Sequence, residues 1–301
     1  MTRGSLPVIH IKLLLTAIFW GGTFIAGRVV TRSVGPYSAA FLRFAIASVF
    51  FLILIWKSEG KLPLIRKNQI LPIILLGMTG IFFYNIFFFK GLKIINAGRA
   101  SLIIANNPVF ISLLSAYFFK EKLHILRLIG IFISVTGAII VISRGNLLHI
   151  MNGNLGWGEL YIFLCVISWV TFSLMGKLVM TGLSPLISVS YSSVAGSLAL
   201  LVPACREGIV HDFLHYPYVA WISIFYLSIF GTVLGFLWYY EGIKKIGPLK
   251  ASQFINFVPI SAVLLAFFIL GESLTGSLIF GLILVTSGVY LANRAYVVET
   301  M

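Results

Sequence analysis

The polar residues of this sequence that could do chemistry are almost all uncharged, and they sit inside long apolar runs. Tyr84 and Asn85 lie mid-run, Asn106 and Asn107 immediately precede Pro108, and Gln253 and Asn256 precede Pro259. An unsatisfied amide is costly in hydrocarbon, so each such residue either serves a substrate or bonds to a neighbouring helix. Proline removes a backbone donor and clashes with the preceding turn, which should free carbonyl oxygens near residues 104 and 255. Freed carbonyls and adjacent amide side chains could coordinate a zwitterion without any fixed charge. Asn106 is expected on the working face, and Asn107 should point about 100° away from it on a helix. Trp20 and Trp169 occupy matching places in the two halves of the chain and could wall a cavity. Thr23, one turn on, shares the Trp20 face. The expected substrate-binding residues are therefore Trp20, Thr23, Tyr84, Asn85, Asn106, Trp169, Gln253 and Asn256.

The charged residues are placed so as to exclude other chemistry. All eight acids, Glu59, Glu121, Glu159, Glu207, Asp212, Glu241, Glu272 and Glu299, fall in loops or near helix ends. No central carboxylate is available to relay a proton or hold a cationic drug, so neutral or zwitterionic substrates are expected. Glu121 and Glu272 are expected to be structural and to meet nearby basic groups. Arg43 lies about two turns into its helix and could hold a carboxylate, but snorkelling towards the outer surface is the cheaper use. Trp238, Tyr239 and Tyr240, beside a charged loop, read as an interfacial aromatic belt. Gly21, Gly22, Gly27, Gly77, Gly80, Gly231 and Gly235 should let helices approach closely. The five histidines are scattered in loops or at helix ends, and the one short loop with His211, Asp212 and His215 is too little for an enzyme's cluster. Cys165 and Cys205 form no CxxC pair, so no disulfide, metal or cofactor is expected.

Such residues need long apolar helices to hold them. The chain is 59% apolar and 10% charged, against roughly 45–50% and 25% in a soluble domain. Mean hydropathy of +1.05 points the same way, to an all-α, polytopic membrane protein in a lipid bilayer. Lys and Arg total 22 against 8 acids, a formal charge of +14. The basic residues form short clusters between apolar runs, as cytoplasmic loops facing anionic lipid do, and no single patch for nucleic acid. A span needs about 20 residues. That ruler gives helices near 11–31, 36–56, 69–90, 96–119, 124–143, 157–179, 185–205, 218–240, 248–270 and 275–296. The first run follows a short basic N-terminus, as a signal peptide would, but it lacks a small-residue cleavage site and has a counterpart later in the chain. With the N-terminus cytoplasmic, inside loops and termini hold 14 basic residues and outside loops 7, so both termini are expected inside. The loop with Lys90, Lys93 and Arg99 fits this orientation least.

The strongest pattern is an internal repeat. Residues 80–137 align on 231–288 without a gap, at an offset of 151 residues. Gly80 meets Gly231, Gly91 meets Gly242, Arg99-Ala100-Ser101 meets Lys250-Ala251-Ser252, Pro108 meets Pro259, and Gly130 and Gly137 meet Gly281 and Gly288. At an offset of 149 residues, Trp20, Gly27 and Pro36 meet Trp169, Gly176 and Pro185. Five helices per copy is an odd number, so the second copy must enter the bilayer upside down. Inverted repeats around a midplane site are the architecture of secondary transporters. The expected units are residues 1–146 and 147–301.

These motifs resemble the EamA family of the drug/metabolite transporter superfamily, over essentially the whole chain. The resemblance is carried by FWGGTFIAGR at 19–28, FLRF around Arg43, GRASLIIANNPVF at 98–110 and FFKEKL at 118–123. The second half repeats it with GPLKASQFINFVPI at 247–260 and LGESLTG at 270–276. It implies a bacterial inner-membrane carrier of ten helices, often an exporter of amino acids or related metabolites. It also implies a cavity lined by the first, third and fourth helices of each half, with the fifth and tenth helices peripheral. Ser192 stands where the first half has Arg43, so any role of that cation is not duplicated. The expected function is alternating-access export of a small neutral or zwitterionic metabolite. Exchange of nucleotide sugars or sugar phosphates, in the same superfamily, would need several buried cations, of which only Arg43 qualifies clearly. An integral-membrane enzyme acting on lipid-linked substrate is a more distant reading.

Overall fold

The computed structural model describes residues 6–60, 62–119, 125–146, 156–179, 184–246, 251 and 254–299, and every regular element among them is helical. In chain order the longer ones are α1 (Leu6–Val30), α2 (Pro36–Glu59), α3 (Lys67–Ile94), α4 (Ala97–Ile104), α5 (Asn107–Phe119), α6 (Ile125–Ile142), α7 (Trp157–Val179), α8 (Pro185–Glu207), α9 (Tyr218–Ile246), α10 (Phe257–Leu270) and α11 (Gly276–Glu299), with short turns at Ile209–Asp212 and Phe213–His215 between α8 and α9. Seven of them, all but α4, α5, α10 and α11, are long and apolar enough to cross a bilayer, and the protein is a membrane protein. Local sequence sets the ends. Pro36 and Pro185 open α2 and α8, where a missing N–H costs nothing, and Ser184 Oγ accepts from Ile187 N at 3.3 Å. Gly208 (φ 104°) and Gly271 (φ 67°) close α8 and α10 in a conformation that other residues avoid.

The bundle departs from regular helices in two ways, and both departures fall at its centre. The expected spans near 96–119 and 248–270 are both broken. In the first, Ala105 and Asn106 form a turn between α4 and α5; in the second, a single 3-10 turn at Phe254–Asn256 precedes α10. Pro108 and Pro259 thus occupy the first turn of a new helix, where proline is tolerated, and do not kink an unbroken one. The other departure is π-helical: Gly77–Phe83 within α3 and Leu227–Leu234 within α9. The two stretches overlap in the alignment that matches Gly80 with Gly231.

Packing is exchanged between the two halves of the chain. α1 lies against α9 and α10, while α7 lies against α3, α4 and α5; α2 packs on α8, and α6 on α11. Glycines permit the contacts. A Cβ on Gly231 would strike Thr23 and one on Gly80 would strike Phe172; one on Gly242 would strike Leu13 and one on Gly91 would strike Ile162. Between α6 and α11, Gly130, Gly137 and Gly288 put backbone against backbone, a use of small residues suited to lipid, where apolar surface alone gives no driving force. The main core gathers Phe24, Phe88, Phe89, Ile162, Leu200 and Ile224 from α1, α3, α7, α8 and α9.

Candidate functional site

A cavity of about 620 Å³ occupies the middle of the bundle, within the range of roughly 300–1,000 Å³ typical of small-molecule sites. Trp20, Thr23 and Phe24 of α1 and Tyr84 and Phe88 of α3 form one wall. Trp169, Phe172 and Ser173 of α7 and Phe236, Tyr239 and Tyr240 of α9 form another. Both helix breaks open onto it, through Ala105, Asn107 and Pro108 in one and Ile255, Asn256 and Pro259 in the other. Arg43 and Arg127 complete the lining, and among the described residues no acidic one belongs to it.

Its walls are fixed by polar contacts at the irregular stretches. The Trp20 indole N–H donates to Gly231 O at 3.0 Å, at the π-helical stretch of α9, and Thr23 Oγ1 donates to Trp20 O at 2.6 Å. Rings then pack outwards, Trp20 against Phe236 and Tyr239, and Trp169 against Tyr84 and Phe172. Arg43 is buried, not turned to a surface. Its Nε donates to Thr232 Oγ1 and its Nη1 to Asn85 Oδ1, each at 3.1 Å.

The predicted residues divide accordingly. Trp20, Thr23, Tyr84, Trp169 and Asn256 come together on the cavity wall. Asn85 stands one layer behind, in a smaller adjoining pocket with Ser192, where it orients Arg43. Asn106 does not line the cavity: its amide donates to Leu102 O at 2.9 Å and its Oδ1 accepts from Ser134 Oγ at 2.8 Å, closing the break and joining α4 to α6. Gln253 lies outside the described residues. Asn107 takes the place expected for Asn106; its Oδ1 and the Asn256 Nδ2 are buried without a protein hydrogen-bond partner among the described residues. Tyr239 and Tyr240 line the cavity, while Trp238 packs on Phe19. α6 and α11 also reach the lining, through Arg127 and through Val285, Thr286, Val289 and Ala292, so the fifth and tenth expected spans are not wholly peripheral.

The two ends of the bundle differ. At the end where α4 and α7 begin, the Glu272 carboxylate accepts from Ala97 N and Gly98 N at 2.8 and 3.1 Å. The residue expected to meet a base instead caps a helix start, where exposed N–H groups and the helix dipole favour an anion. At the same end Arg99 pairs with Glu159 at 2.7 Å, Glu207 accepts from Ser38 N and Oγ, and Arg28 donates to Leu92 O. Towards the other end the cavity continues past Tyr239, Tyr240, Arg127 and Ala292. Among the described residues one ion pair, Lys12–Glu241 at 2.7 Å, stands there.

Among the lining residues that reading the sequence did not select are Arg43, Asn107, Arg127, Tyr239 and Tyr240. The signal for Arg43 was present: it is the cation set within an apolar run that its repeat partner, Ser192, lacks.

Comparison with known proteins agrees with this architecture. The model of the EamA-like transporter family matches residues 8–143 and again 156–294. The uncharacterized transporter YyaM of Bacillus subtilis is 32% identical over 286 residues, covering 95% of this chain and 93% of its own. A probable terminal-alkyne amino-acid exporter of Streptantibioticus cattleyicolor is 29% identical, covering 94% of this chain and 92% of its own. A protein of known crystal structure superposes with a TM-score of 0.61 over 97% of this chain and 99% of its own; at 18% identity the likeness is one of fold.

Proposed function

Because the chain belongs to the EamA-like transporter family, and so is a membrane transporter, we propose that it is a secondary carrier exporting amino acids or similar small neutral or zwitterionic metabolites by alternating access. In this reading ten membrane-spanning segments form two inverted five-helix repeats, residues 1–146 and 147–301, in a bacterial inner membrane with both termini cytoplasmic. Support for the repeat is the reciprocity of the packing: each α1 contact with the second half has an α7 counterpart with the first, and both halves carry a π-helical stretch and a proline-associated break. An alternating-access carrier needs a site that two such halves share and that opens to one side at a time.

The observation that carries the proposal is the central cavity walled by residues from both halves. The 29% identical relative named as an amino-acid exporter supports the substrate class. A second reading, exchange of sugar phosphates or nucleotide sugars, gains one point from the structure, since Arg127 joins Arg43 in the lining.

Counterflow in proteoliposomes tests both. Purified protein is expected to exchange at least one labelled amino acid saturably, and alanine at Trp169 or Asn256 should lower that exchange without lowering the amount of folded protein. Folded protein that moves sugar phosphates and no amino acid would overturn the amino-acid reading in favour of the second.

A further inference from the structure

We propose that the group this cavity recognises is an anion: a carboxylate on an apolar body, bound by Arg43, whether or not the body also carries an amino group. The inference deepens the carrier reading and takes from it only the identity of the cavity as the substrate site.

Charge decides the matter. Asn85 Nδ2 donates to Ile81 O and Thr232 Oγ1 donates to Leu227 O, both at 2.8 Å. With their protons committed to carbonyls of the two π-helical stretches, both side chains are left to accept from Arg43. Arg43 is thus oriented by two neutral groups and keeps its whole charge; no carboxylate contacts it among the described residues. Its remaining nitrogen, Nη2, faces Gly231, where a Cβ would stand 3.9 Å away and would also strike the Thr23 methyl. A buried cation without a counter-ion costs several kcal/mol of desolvation. A bound carboxylate would supply the missing charge and the bidentate acceptor that a guanidinium suits best.

For an ammonium group the same walls offer little. Among the described residues no acid lines the cavity, the Arg43 charge repels it, and the buried side-chain acceptor on the wall without a partner is Asn107 Oδ1. The aromatic faces of Trp20, Tyr84 and Trp169 suit an apolar body; the cation–π contact they offer an ammonium is set against the buried charge of Arg43.

The test uses three probes sharing a phenyl body: 3-phenylpropanoate, phenylalanine and 2-phenylethylammonium. Binding to the full chain in detergent is read from tryptophan fluorescence, since Trp20 and Trp169 form the walls. The expected order is the anion tightest, the zwitterion weaker and the ammonium weakest, with Arg43→Gln weakening the anion at least about tenfold. Should Arg43→Gln fail to fold, Asn85→Asp, of the same shape, places a carboxylate on Arg43 and should remove anion binding from a folded protein. The proposal is overturned if the ammonium binds as well as the anion, if no anion binds, or if Asn85→Asp leaves anion affinity unchanged. The expected order of binding with no counterflow of any probe would sink the carrier reading and leave the anion site standing. Counterflow of phenylalanine inhibited equally by the anion and the ammonium would do the reverse.

Discussion

At the scale of single residues, the wall of the cavity is largely legible in the sequence and its charge is not. Trp20, Thr23, Tyr84, Trp169 and Asn256 can be found from sequence because polar or aromatic groups at matched places in apolar runs have few other uses. Arg43 escapes such a reading because a long side chain two turns from a helix end can usually reach water. Here Asn85 and Thr232 hold it inward instead. Asn106 and Asn107 exchange their expected roles because a wheel angle is meaningful only along an unbroken helix, and the chain turns between them. Two substitutions test these contacts. Asn85→Ala removes an acceptor from a buried cation and should lower stability by about 1.5–3 kcal/mol, read from melting in detergent. Trp20→Phe loses the bond to Gly231 O and should cost about 0.5–1.5 kcal/mol, with the smaller effect on melting distinguishing the two.

At the scale of elements, hydropathy locates the helical segments well but cannot reveal interruptions that leave composition unchanged. Neither the turn at Ala105-Asn106 nor the π-helical stretches alter the apolar count of their segments. Both change phase: a π-helical stretch holds a surplus residue and turns everything beyond it by about 100° relative to a regular helix. The capping of α4 is equally hidden, because Glu272 and Ala97 are far apart in sequence and meet only in the packed bundle. Glu272→Gln keeps one acceptor and loses the charge opposite the α4 dipole. It should cost about 0.3–1 kcal/mol and raise the thiol reactivity of a cysteine placed at Ser101, which lies one turn into α4 on the cavity wall. Unchanged labelling would show that this cap does not limit access to the cavity from that end. Between α6 and α11, Gly288→Leu has no room beside Ser134 N and Gly130 O and should prevent stable folding, where Gly276→Leu, with nothing near it, should not.

At the scale of the whole molecule, the repeat is the most informative pattern and also sets what a sequence reading cannot reach. Equivalent positions meet near the centre, and Arg43 and Ser192 line the same small pocket. Ser192→Arg would set two guanidinium groups in a space of about 30 Å³ and should destabilise the protein by several kcal/mol; the exchange of both residues, Arg43→Ser with Ser192→Arg, should fold better than Ser192→Arg alone. The cation in the lining, with no acid beside it among the described residues, has an energetic consequence of its own. One negative charge leaving a cell that is 100 mV negative inside gains about 2.3 kcal/mol, and that gain sustains roughly a fiftyfold gradient. For an anionic cargo the electric field is itself the fuel. A carrier of that kind would need neither a proton relay nor a co-transported ion, which fits a chain whose acids, among the described residues, stand near the ends of its helices or between them.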